Sequence, residues 1–63
     1  MPTTGEVYAA LAAEAAGLRF QVKRFLRLLR EAGVDPPGSL AGAERTLHQL
    51  EETMAEQARQ AAQ

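Results

Sequence analysis

Few side chains in this sequence combine reactive chemistry with a useful spacing. His48, Glu51 and Glu52 stand at i, i+3 and i+4, so one helical face would carry an imidazole and two carboxylates. Such a set supplies two or three ligands of the kind a divalent metal takes, and a symmetry-related copy would have to add the rest. The chain has a single histidine, which is thin support for a metal centre. The plainer reading is favoured: a solvent-facing His48 steadied by Glu44 and Glu52, one helical turn to either side. Ser39 has no base near it, cysteine is absent, and no glycine-rich phosphate loop occurs. The sequence therefore predicts no catalytic residue, no metal or cofactor site and no enzymatic activity.

A second distinctive set is cationic. Arg19, Lys23, Arg24, Arg27 and Arg30 crowd into the run LRFQVKRFLRLLR, together with Phe20, Phe25 and Leu28. A basic face beside Phe and Leu anchors suits an anionic membrane surface. Phosphates of nucleic acid would also meet such a face, but the net charge is −1 and the sequence pI about 5.7, so nucleic acid is the less favoured partner. The ordinary reading of the same pattern is a bundle core with a solvated flank. Phe20 lies off the apolar stripe, either as an exposed residue without a role or as contact surface for a further chain.

These residues need a helix to position them. Tyr8, Leu11, Ala15, Leu18, Val22, Phe25, Leu29 and Ala32 recur at alternating three- and four-residue intervals, which keeps them on one helical stripe. Leu26 and Leu28 flank that stripe and make the apolar arc broader than a two-helix seam requires. Thr3 followed by Glu6 forms a capping box, with Pro2 and Val7 placed to pack across it. The first helix should run from about residue 4 to 32. Gly17 interrupts it, as a neutral surface position or as a point of close helix approach. Gly33 suits a left-handed cap, and Pro36 and Pro37 forbid continuation, so 33–39 is a turn.

Ser39 is the expected N-cap of a second helix, about 40–61, although Gly42 stands where a capping box would place an acid. Its apolar stripe is Leu40, Ala43, Leu47, Leu50, Met54, Ala58 and Ala61. The tail after Glu56, QARQAAQ, lacks anchoring side chains and should fray. A short connection between two amphipathic helices favours an antiparallel hairpin. Glu44, Glu51, Glu52 and Glu56 would then lie beside the basic half of the first helix, an attraction large enough to choose register but not to hold the fold.

Among 63 residues without cysteine, a hairpin has trouble burying enough apolar surface alone. The second helix, shorter by roughly seven residues on these boundaries, would leave the first turns of the first helix bare. The expectation is an all-α hairpin that forms a homodimeric four-helix bundle, with another helical protein as a second class of partner. Leu11, Leu18, Val22, Phe25, Leu29, Leu47, Leu50 and Met54 are assigned to core and self-association. Phe20, Arg19, Lys23, Arg24, Arg27, Leu28 and Arg30 are the residues available to an outside partner or anion. No apolar run reaches the roughly 20 residues that span a bilayer, and the start MPTTGEVYAA has no signal-peptide pattern, so the expected location is cytoplasmic.

The run from Leu11 to Ala32, LAAEAAGLRFQVKRFLRLLREA, resembles the C-terminal helical segment of methyl-accepting chemotaxis receptors. The matching positions are Leu11, Ala15, Leu18, Arg19, Val22, Arg24, Phe25, Leu26, Leu29, Arg30 and Ala32, about a third of the chain. The resemblance implies a signalling coiled coil that acts by packing. The chain departs from that family in three ways. It has no room for a kinase-coupling tip, Glu51-Glu52 lacks the small-residue setting of a methylation site, and a turn and second helix follow where the pattern ends.

Overall fold

The computed structural model describes residues 1–62. Two helices make up the fold, α1 at Thr4–Glu31 and α2 at Gly38–Ala61. The start of α1 shows one half of the expected capping box: the Glu6 backbone N–H donates to the Thr3 hydroxyl oxygen at 3.1 Å, while the return bond from Thr3 N–H to the Glu6 carboxylate is not made. Its end is closed by two backbone bonds, Gly33 N–H to Arg30 O and Val34 N–H to Leu29 O, at 3.0 and 2.8 Å. That pairing requires a left-handed residue after the cap, and Gly33 takes it at φ 76°. Glu6 in the first turn and Arg30 in the last complement the helix dipole.

The second helix begins two residues earlier than expected. Pro37, extended at φ −64° and ψ 148°, is the N-cap, and no side chain caps the helix. Ser39 therefore lies inside the first turn, where Leu40 N–H already bonds Pro37 O at 3.0 Å. Proline's preset backbone reaches the cap conformation without help from a hydroxyl, which is why the serine is displaced from that role. α2 is helical through Ala61. Position 63, part of the tail expected to fray, lies outside the described residues.

The helices run antiparallel, and their register corrects the expected overhang. α1 has 28 residues and α2 has 24, a difference of four rather than seven. A Cβ built on Gly5 would sit 3.6 Å from both the Ala58 carbonyl oxygen and the Ala61 Cβ, so the end of α2 covers the first turn of α1. The close approach sits here, among Gly5, Ala58 and Ala61. At Gly17 nothing lies within 4 Å, which makes it the neutral surface position.

The seam between the helices also differs from the expected stripe. The side of α1 withdrawn from solvent is Gly5, Tyr8, Ala12, Ala15, Arg19, Val22, Leu26 and Leu29, again at alternating three and four. Tyr8, Ala15, Val22 and Leu29 are shared with the expectation, while Leu11, Leu18 and Phe25 give way to Ala12, Arg19 and Leu26. Leu26, expected only as a flank, is the most buried large side chain at 3% exposure, with Ala15 at 7%. On α2 the corresponding line is Leu47, Glu51, Met54 and Ala58, with Leu50 turned outward. The arc of apolar residues on α1 is wider than one neighbouring helix can cover. α2 settles over the side where Gly5, Ala12, Ala15 and Ala16 permit close packing.

The result is a rod of 48 × 17 × 13 Å with a radius of gyration of 14.6 Å, against about 11 Å for a compact chain of this length. It exposes 4768 Å², where a folded monomer of this mass usually exposes about 4,000 Å². The excess follows from the elongated shape, which leaves part of that wide apolar arc exposed.

Candidate functional site

Two surfaces of the hairpin remain unpartnered, on different sides of α1. The first is an apolar groove of about 270 Å³ lined by Leu11, Ala15 and Leu18 from α1 and Leu47, Leu50 and Met54 from α2, with Glu14 at its edge. Antiparallel pairing creates it, because Leu11 and Leu18 are two turns apart on one helix and Leu47, Leu50 and Met54 stand opposite them. Leu11, Leu18 and Leu50 are each about half exposed. Phe25, at 52% exposure, prolongs the same ridge toward the turn. The eight residues assigned to core and self-association thus divide into two groups. Val22, Leu29, Leu47 and Met54 are partly withdrawn from solvent, while Leu11, Leu18, Phe25 and Leu50 are exposed.

The second surface is a shallow basic groove of about 420 Å³ on the outer side of α1, lined by Phe20, Lys23, Arg24, Arg27 and Arg30. Phe20 is 69% exposed. Of the four cations only Arg27 has an acidic neighbour among the described residues, Glu31 at 3.8 Å within the same helix. Leu28 is also exposed but does not line the groove. No acid of α2 pairs with Lys23, Arg24, Arg27 or Arg30 among the described residues: Glu44 makes no ion pair, and the other three are engaged elsewhere. Glu51 meets Arg19, Glu52 meets His48, and Glu56 meets Arg59.

Arg19 is the one cation of the set that turns toward α2. Its guanidinium lies 3.0 Å from Glu51 Oε2, off the line of a good hydrogen bond, so the contact is an ion pair rather than a directed bond. The other guanidinium nitrogen is 2.9 Å from His48 Nδ1. Arginine can only donate, so Nδ1 accepts and the ring proton sits on Nε2, which faces Glu52 Oε1 at 3.0 Å. His48 is therefore bound between Arg19 and Glu52, close to the plainer expectation except that Arg19 takes the place given to Glu44. Among the described residues no group of three His, Cys, Asp or Glu side chains is arranged to hold a metal ion.

Farther along α2, Arg59 and Gln60 donate to the Glu56 carboxylate. The Arg59 hydrogen bond, then that of Gln60 and the Arg59 charge, hold this carboxyl below its ordinary value, against a small opposing effect of burial.

Comparison with protein-family models, curated proteins and solved structures finds no match. The resemblance of residues 11–32 to chemotaxis receptors therefore rests on the quoted positions alone. Of those positions, Ala15, Arg19, Val22, Leu26 and Leu29 lie on the side turned toward α2, and Leu11, Leu18, Arg24, Phe25, Arg30 and Ala32 are exposed.

Sequence reasoning underrated Leu26 and did not single out Gly5 or Ala12 for packing. A signal for them existed. Gly5, Ala12 and Leu26 fall on the same alternating three-four line as Tyr8, Ala15, Val22 and Leu29, and small residues on facing stripes mark where two helix backbones approach most closely. No helix is long and apolar enough to cross a membrane among the described residues.

Proposed function

We propose that this chain is a non-enzymatic interaction module whose hairpin pairs with a second copy through the Leu11, Leu18, Phe25 and Leu50 ridge, closing a four-helix bundle. The apolar groove between Leu11, Leu18, Leu47, Leu50 and Met54 carries the reading. Four half-exposed large apolar side chains on one side of a narrow rod are a standing cost in water. Covering a Leu or Phe side chain fully recovers about 1.5 to 3 kcal/mol. A two-fold axis along the groove would bring each ridge against its twin, as a self-complementary interface requires. A regulatory role of the kind implied by the resemblance to chemoreceptor helices would then be exercised through the choice of packing partner. No residue would have to touch a substrate.

Sedimentation equilibrium at several concentrations tests this. The expected result is a two-chain mass at micromolar concentration that dissociates on dilution, with Leu18→Glu shifting the equilibrium to one chain. A one-chain mass at every concentration, with a melting temperature independent of concentration, overturns the proposal.

A further inference from the structure

We propose that the outer side of α1 is a docking surface for an anionic lipid bilayer, with Phe20 entering the interface and Lys23, Arg24, Arg27 and Arg30 meeting the headgroups. This inference does not depend on self-association, because the basic groove and the apolar groove use different sides of the helix and share no residue.

Three observations carry it. Between Glu14 and Glu31 the chain contains no acidic residue, so the patch has no internal neutralisation over most of its length. Three of the four acids of α2 are spent on Arg19, His48 and Arg59, and the fourth, Glu44, makes no ion pair with the patch among the described residues. A phenyl ring 69% exposed stands at the N-terminal end of the groove, one turn before Lys23 and Arg24, and lines it together with all four cations. An ion-binding surface alone has no use for that ring. A bilayer has a place for both, since apolar side chains sink to the acyl boundary while basic ones stay with the headgroups.

The residues around the patch also bear on the choice between a bilayer and nucleic acid. From Arg19 to Arg30 only Gln21 has an uncharged polar side chain for reading base edges, and the groove offers a single aromatic ring. Proteins that hold single strands usually stack successive bases on several aromatic rings along a basic track. A straight rod 48 Å long with one basic side is instead suited to lying flat on a membrane.

Each cation brought to an anionic surface raises affinity about fivefold at moderate salt. Flotation with vesicles of phosphatidylcholine mixed with phosphatidylglycerol should therefore carry the protein with the lipid, while vesicles of phosphatidylcholine alone should not. Neutralising two cations together, Arg24→Gln with Arg27→Gln, should weaken binding about 25-fold, and Phe20→Ser about tenfold. All three positions are exposed, and circular dichroism should be unchanged. Phe20→Trp supplies a chain that has no tryptophan with a reporter. Its emission should shift to the blue on anionic vesicles only. Absence of flotation at low ionic strength overturns the proposal, as does an unshifted Phe20→Trp spectrum with vesicles bound. Tighter binding to a DNA duplex or a single-stranded oligonucleotide than to anionic vesicles at the same salt would overturn it in favour of nucleic acid.

Discussion

Two apolar lines run down α1 one residue apart, and they have opposite fates. Ala12, Arg19 and Leu26 turn toward α2, whereas Leu11, Leu18 and Phe25 remain half in water. By hydrophobicity alone the second line should have been covered, since it holds two leucines and a phenylalanine against an alanine, an arginine and one leucine. Distance of approach decides otherwise. Small residues at Gly5, Ala12, Ala15 and Ala16 let α2 lie close, and Ala58 and Ala61 meet Gly5 in the same way. The larger side chains are left beside the contact as the rim of an open groove. A hairpin that had buried its largest residues would have little reason to associate. This one holds itself together on one line and leaves the greasier one half in water, which is what the proposed pairing would cover.

The comparison breaks or holds most visibly at Phe25 and Leu26, adjacent residues on the two lines. Leu26→Ala removes a side chain that is 3% exposed and should cost about 2 to 5 kcal/mol, enough to lose the helical signal at any protein concentration. Phe25→Ala removes a ring that is 52% exposed. Full burial would place its loss at about 3 to 5 kcal/mol, and half-exposure puts it well below that for the hairpin itself. The expected outcome is retained helicity with a one-chain mass in sedimentation. The reverse pattern, unfolding by Phe25→Ala and tolerance of Leu26→Ala, would mean that the larger line is the true seam.

Two glycines sharpen the same contrast with smaller effects. Gly17 lies on neither line and has open space around it, so Gly17→Ala should gain about 0.5 to 1 kcal/mol from helix propensity. Thermal melts should register this as a rise of several degrees, about 4 to 8 °C per kcal/mol for a domain of this size. Gly33 has equally open surroundings but a φ of 76°, and Gly33→Ala should lose about 1 to 2 kcal/mol from backbone strain. A fall in melting temperature with Gly17→Ala would show that the outer side of α1 is packed in solution, and the two-line picture would need a third.

What the sequence makes legible here is what is decided locally. The Thr3 and Glu6 capping pair, the Gly33 cap and the proline stop mark α1 to within a residue, because each signal acts through the few backbone groups beside it. The choice between the two lines is not local. Leu11, Leu18, Phe25 and Ala12, Arg19, Leu26 both join Tyr8, Ala15, Val22 and Leu29 at the same alternating spacing, and only the position of α2 separates them. The charge pattern guides only in part, with Arg19 meeting Glu51 across the hairpin. Opposite signs on two helices favour an antiparallel arrangement, but Glu52 and Glu56 find His48 and Arg59 within their own helix. Partners three and four residues away need no register to be found. The basic patch is left without an ion pair from α2, which composition and net charge alone conceal.

The smallest expected effect lies off both lines, at Glu56, and so measures how far α2 is held by its own local bonds. Hydrogen bonds from Arg59 and Gln60, with the Arg59 charge, favour the carboxylate, and its pKa is lowered from the ordinary 4.5. A carboxyl with a depressed folded value stabilises the helix above its unfolded value and loses that contribution as pH falls through the folded one. The Glu56 side chain is about half exposed, so solvent and salt screen the effect. Glu56→Gln should therefore lower amide protection in the last turns of α2 slightly at neutral pH. The difference from the parent chain should shrink as pH drops below 4.5 and vanish once Glu56 itself is protonated. Hydrogen exchange at Ala58 to Ala62 reads this directly. Protection lost equally along the whole of α2 would mean that the end of the helix is tied to the hairpin through Gly5, and that the small-residue contact reaches farther than the line on which it sits.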